Sequence, residues 1–177
     1  MMSIETSPDI VKDIFLQPGE FFWGGENHRI KTLLGSCVSF VFWHPQLKIG
    51  GMCHFMLPEN KSGITIKSNL NGKYADDAFD LFNNEILKNN TSHKEYVVKM
   101  FGGSNMFTQQ EKQLTEIAEI KKRINEIGNK NIEKGRELAN KYKVTISGES
   151  TGGDKHRKIY FNVWNGEVWM ETKKGSQ

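Results

Sequence analysis

One stretch of this chain holds both of its two cysteines and two of its five histidines. It runs from Thr32 to Pro58 and reads TLLGSCVSFVFWHPQLKIGGMCHFMLP. A thiol is a weak nucleophile until its pKa, ~8.5 when free, is lowered by an imidazole or by backbone N–H groups that stabilise the thiolate. Cys37 follows Gly35-Ser36, where a tight turn frees amides to face a developing oxyanion. His54 is the matching base, able to take the thiol proton and later deliver it to a leaving group.

The elements around these residues must bring them together. Thr32 to Leu34 and Val38 to Trp43 are β-branched, aromatic or aliphatic, which predicts two mostly buried strands. His44-Pro45 breaks the second, since proline cannot donate to a ladder. The apolar run resumes from Ile49 to Leu57 as a third strand, and an antiparallel return sets His54 beside Cys37. On spacing alone, the same residues also fit a cysteine packed as a small hydrophobe and a satisfied core histidine. Cys53 is a rival thiol, but it adjoins His54, and neighbours on a strand point to opposite faces. A Cys37/Cys53/His54 metal site lacks the close ligand pairs such sites use, so no metal is expected.

The motifs resemble those of the CheD family of chemotaxis glutamine deamidases. The resemblance is carried by Leu34-Gly35-Ser36-Cys37, by His44-Pro45 and by Gly50-Gly51-Met52-Cys53-His54-Phe55-Met56-Leu57-Pro58. It continues through Lys73-Tyr74-Ala75-Asp76, Lys99 to Met106, Ile127-Gly128 with Asn131, Gly152-Gly153 and Arg157-Lys158. It covers about Gly19 to Lys173. The resemblance implies an α+β fold, with mixed sheets in a layered sandwich flanked by helices, distantly like the deamidase domain of cytotoxic necrotizing toxins. It implies Cys37 as nucleophile, His54 as base, and an orienting threonine six residues before the cysteine. That position is Lys31. Thr32, one residue later, would face the other way on a regular strand counted from the cysteine. A bulge at Thr32, another group orienting His54, or weakened catalysis would each reconcile the difference, and Lys31 near Cys37 would favour the thiolate by charge. Thr32 is carried forward as the third catalytic candidate. Gly35, Ser36 and Ser104 are the candidates for holding substrate.

Elsewhere, Ile10 to Leu16, Glu20 to Trp23 and Arg29 to Leu34 read as strands around Pro18-Gly19 and Gly24-Gly25 turns. Lys73 to Asn89 has Ala75, Ala78, Phe79, Phe82 and Ile86 at helical spacing, with Ser68 or Asn71 available as cap. Glu95 to Phe101 is a strand leading into Gly102-Gly103-Ser104. Thr108 to Lys141 is helical, interrupted at Gly128, with Asn129 or Asn131 opening a second helix. Its length before Gly128 exceeds what the family usually carries, which suggests a solvated face or a docking surface. Val144 to Ser147 is a strand, Gly148 to His156 a loop, and Asn165-Gly166 a hairpin turn between two β-rich runs.

With 177 residues, one CheD-like domain spanning 1–177 is expected, with loose tails at 1–9 and 174–177. A net charge of +3 is too small to argue for nucleic acid. No apolar run approaches the ~18 residues a membrane span needs, so a cytoplasmic protein without membrane insertion is expected. The resemblance implies conversion of chemoreceptor glutamines to glutamates through a thioester, without cofactor, supplying carboxylates for methylation. It names chemoreceptor cytoplasmic domains as substrate and a CheC-type phosphatase as a further partner. The competing reading is a regulatory binding partner of such a phosphatase, with reduced or no catalysis.

Overall fold

The structure is a computed structural model and describes residues 7–60, 70–105 and 116–174. In chain order its strands are β1 (Lys12–Leu16), β2 (Phe21–Gly25), β3 (His28–Leu34), β4 (Val38–His44) and β5 (Ile49–Cys53). Helix α1 (Ala75–Lys88), β6 (Val97–Gly102) and helix α2 (Glu116–Lys141) follow, then β7 (Ile146–Thr151), β8 (Lys155–Asn162) and β9 (Val168–Lys174). They form two mixed sheets, one ordered β1-β3-β8-β9 and the other β2-β5-β4-β6-β7. The β1–β3 and β6–β7 pairs are parallel and the other pairs antiparallel. This is the expected α+β sandwich flanked by helices.

The mostly apolar run of β4 has a simple cause: the strand is covered on both faces. Val38, Phe40 and Phe42 face the helices, in a cluster with Phe55, Ala78, Phe79, Phe82, Ile86, Ile132 and Leu138. Val41 faces the other sheet, packed with Leu16, Ile30, Leu34, Met52, Ile159 and Phe161. Alternation along β4 therefore switches between two cores rather than between core and water.

Three expectations change. Helix α2 runs through Gly128 without a break. A Cβ there would come within 3.0 Å of the Gly103 carbonyl and 3.1 Å of that of Ser104, so the glycine serves close approach rather than termination. Residues 148–151 belong to β7 and Lys155-His156 to β8, which shortens the expected loop to 152–154. Helix α1 is entered through Tyr74 with no side-chain cap, Asn71 instead accepting from the Lys73 amide; Ser68 lies outside the described residues, as do 108–115.

Phe42 is fully buried, with its ring stacked on Phe82 at 4.2 Å between centroids. Phe42→Ala is expected to cost about 3–5 kcal/mol of stability, read as a lower urea midpoint at unchanged m. A loss under about 1 kcal/mol would contradict this packing.

Candidate active site

Residues Gly35-Ser36-Cys37 carry the chain from β3 in one sheet to β4 in the other. All three of their carbonyls are anchored inward. Gly35 accepts from the Ser104 amide at 2.8 Å, Ser36 from the Asn131 side-chain amide at 3.2 Å, and Cys37 from the Gly103 amide at 2.8 Å. Gly102 permits this last approach: its φ is +110°, and any Cβ there would strike the Cys37 carbonyl. The Val38 amide is taken by the Phe55 carbonyl at 3.0 Å, so it is not a free donor. The amides of Gly35, Ser36 and Cys37 have no backbone partner among the described residues. A loop with its acceptors tied down and its donors unclaimed can receive an anionic oxygen.

His54 follows directly on β5. Its backbone is held on one edge by the Glu20 carbonyl (3.0 Å) and the Gly19 amide (2.7 Å). Its side chain is 2% exposed, and Nδ1 lies 2.7 Å from the Thr32 hydroxyl of the facing sheet. That hydroxyl donates to the carbonyl of Leu16, its parallel neighbour on β1, at 2.9 Å. With the single hydroxyl hydrogen committed to Leu16, Nδ1 must carry its own proton and donate to Thr32, which leaves Nε2 as the bare nitrogen.

The expectation that Thr32 on a regular strand faces away from His54 is corrected. β3 is regular, with Ile30, Thr32 and Leu34 all buried. Lys31 points outward, paired with Asp13 at 2.7 Å and lying 5.9 Å from the centroid of the Tyr160 ring. It therefore exerts no charge on Cys37. The count from Cys37 misleads because the chain changes sheets at Gly35-Ser36, so the phase of β4 says nothing about that of β3.

Val41 pairs with Met52, and Val38 with Phe55. This register sets His54 opposite Ser39 and Cys37 one diagonal step away on the same face, within reach of a long side chain. Cys37 is partly exposed and packs against the core between the sheets. Thiol and imidazole make no hydrogen bond to each other, a looseness common in catalytic pairs before substrate binds. Burial pushes the Cys37 thiol up to about 11 and the His54 imidazole down to about 4. At neutral pH the resting pair is therefore a neutral thiol and a neutral base. Cys53 turns to the helix-side core, fully buried, with Sγ accepting from the Phe40 amide at 3.3 Å and its pKa pushed up to about 12. Among the described residues, no three His, Cys, Asp or Glu side chains are grouped to hold a metal.

Of the proposed substrate contacts, Gly35 and Ser36 lie on the crossing loop, partly exposed. Ser104 is fully buried; its hydroxyl donates to the Lys155 carbonyl at 2.6 Å and accepts from the Arg157 guanidinium. A side chain so engaged fixes the loop beside Cys37 instead of meeting a ligand. Arg157 also holds the Gly152 carbonyl at 2.8 Å, and so is turned inward. From the sequence, Arg157 is one of the basic residues beside Gly152-Gly153 that fit either an anion-holding or a solvated loop, and Asn131 is, with Asn129, a candidate helix start. Inward-facing phase on β8, set by Ile159 and Phe161, was the available signal for Arg157.

The family profile described as CheD chemotactic sensory transduction matches residues 56–172. A Leptospira interrogans protein named "Probable chemoreceptor glutamine deamidase CheD 1" is 48% identical over 164 residues, covering 93% of this chain and 95% of its own length. A Dechloromonas aromatica protein named "Probable chemoreceptor glutamine deamidase CheD 3" is 39% identical over 174 residues, covering 98% and 95%. One from Pseudomonas syringae pv. tomato with the same designation, CheD, is 35% identical over 159 residues, covering 90% and 88%.

The depressed imidazole makes a stability prediction. Between its unfolded pKa of 6.5 and its folded pKa of about 4, the unfolded chain binds the proton and the folded one does not. Stability from this group is complete above the unfolded value and is lost as pH falls through the folded one, by about 3 kcal/mol in all. Urea unfolding from pH 7 to pH 4 is expected to show that loss in the wild type beyond what His54→Gln shows; equal slopes for the two proteins would contradict it.

Proposed function

The chain belongs to the CheD family, and from that premise we propose that it is a protein-glutamine deamidase acting on chemoreceptor cytoplasmic domains, with Cys37, His54 and Thr32 as its catalytic side chains. The names of its relatives support the reaction and the substrate class. The observation that carries the residue assignment is the buried Thr32–His54 hydrogen bond, which leaves Nε2 bare on the face shared with Cys37.

As Sγ of Cys37 attacks the glutamine amide carbon, Nε2 of His54 takes the thiol proton. The amide oxygen, now an oxyanion, is received by the free amides of Gly35, Ser36 and Cys37. The imidazolium returns its proton to the departing nitrogen, ammonia leaves, and a thioester remains. Water attacks that thioester with Nε2 as base; the carbon–sulfur bond breaks, the thiol is restored and glutamate is released. A buried imidazole is a modest base but, once protonated, a strong acid, which suits expulsion of a poor leaving group. Each turnover adds a negative charge to the receptor surface.

A second reading draws on the resting thiol, pushed up and without a hydrogen bond to His54: a regulatory partner of a CheC-type phosphatase with reduced or no catalysis. No helix among the described residues is long and apolar enough to cross a membrane.

The discriminating experiment incubates the protein with receptor cytoplasmic fragments and scans glutamines by mass spectrometry for the one-dalton gain of deamidation. The gain is expected to vanish in Cys37→Ala, to survive in Cys53→Ala, and to slow about 100-fold in Thr32→Val, which no longer orients the imidazole. The acid limb of kcat/KM is expected near pH 4 rather than 6.5, because His54 must be neutral to accept the proton and stays so down to its depressed pKa. Absence of any Cys37-dependent gain, with tight binding to a CheC-type protein, would establish the second reading instead.

A further inference from the structure

Asn131 lies inside α2, fully buried, with its side-chain amide donating to two carbonyls at once: Ser36 at 3.2 Å and Met56 at 2.9 Å. Ser36 immediately precedes Cys37, and Met56 stands two residues beyond His54. Between these two segments the β4–β5 ladder is already ending. Its last backbone pair is the isolated Val38–Phe55 bridge; past it the Met56 and Leu57 amides turn to the Lys73 carbonyl, and the Asn131 amide links the two segments through the Ser36 and Met56 carbonyls. The helix lies close against this corner: a Cβ at Gly128 would crowd the Gly103 and Ser104 carbonyls, and one at Gly103 would strike the Ile132 side chain.

The arrangement is costly as pure structure. Asparagine is a poor interior helix residue, and Oδ1 of Asn131 is buried with no hydrogen-bond partner among the described residues. The amide cannot turn over to relieve this, because Oδ1 would then face two carbonyl oxygens. Such local conflicts concentrate at functional sites. We propose that Asn131 is a positioning residue of the deamidation reaction, setting the separation of the nucleophile and base segments through one rigid amide bonded to the Ser36 and Met56 carbonyls. The inference rests on the deamidase reading above. It identifies Asn131 as the group through which α2 acts on Cys37 and His54 without touching substrate.

Steady-state kinetics on receptor fragments, with thermal unfolding of each protein, test it. Asn131→Ala is expected to lower kcat about 100-fold with KM changed little, the signature of displaced reacting groups. Asn131→Ser keeps one donor and is expected to fall between Asn131→Ala and the wild type. Leu138→Ala, on the same helix and 2% exposed in the helix-side core, is the structural control: a lower unfolding temperature with kcat retained. Should Asn131→Ala be insoluble, Asn131→Ser carries the test, and unchanged kcat in that variant overturns the proposal. Equal kcat losses in Asn131→Ala and Leu138→Ala, with a wild type that deamidates, overturn the positioning role alone. A wild type without Cys37-dependent deamidation overturns the deamidase reading and this inference with it.

Discussion

The hydrogen bond between Thr32 and His54 is the contact on which the geometry of this molecule turns. It joins two sheets that share no ladder, at a point closed to water. Its existence requires β1 to run parallel to β3, so that the Leu16 carbonyl is available to take the threonine proton. It requires β5 to carry His54 past its last ladder pair, steadied by Gly19 and Glu20. It requires the sheets to hold their separation, which the packing of Leu16, Ile30, Leu34, Met52 and Phe161 provides. The outcome is one tautomer held by its Nδ1, with Nε2 left bare and the side chain on the face of the hairpin that also carries Cys37.

A threonine in this role has electrostatic consequences that a carboxylate would not. An acidic orienting group stabilises imidazolium and raises the histidine pKa. Thr32 offers only a dipole, so burial dominates and His54 is driven down to about 4 while Cys37 is driven up to about 11. No ion pair forms at rest. In the proposed reaction the charge separation of attack is met by groups that receive the oxyanion, and the crossing loop leaves its amides open because Ser104, Gly103 and Asn131 hold its carbonyls away. The same burial that keeps the resting thiol and imidazole neutral lowers the local dielectric, in which a donor to a developing oxyanion is worth more.

Much of this was legible in the sequence, and the parts that were not have identifiable causes. Val38 to Trp43, the His44-Pro45 turn and the run to His54 announce a hairpin, and the structure gives it the register that puts Cys37 and His54 on one face. The α1 stripe of Ala78, Phe79, Phe82 and Ile86 is periodic, and its residues are buried as that period requires. Thr32 was ambiguous because alternation is a property of one strand in one sheet, and the sequence does not mark that Gly35-Ser36 moves the chain to another. Gly128 looked like a stop because a glycine in a helix usually weakens it; the reason it is tolerated, the nearness of Gly103, is a tertiary contact. The engagements of Ser104 with Lys155 and of Asn131 with Ser36 and Met56 are likewise long-range in sequence, and no local pattern encodes them, whereas the strand phase of β8 does turn Arg157 inward.

The central claim is that Cys37 forms a thioester with the glutamine side chain. The most direct measurement is to run the reaction with hydroxylamine present and examine the target glutamines by mass spectrometry. A thioester is intercepted by this nucleophile, so glutamyl hydroxamate is expected to appear alongside glutamate and to be absent with Cys37→Ala. Glutamate alone, formed at the same rate whatever the hydroxylamine concentration, would mean that water attacks the amide directly, and the account of Cys37 as nucleophile would be wrong.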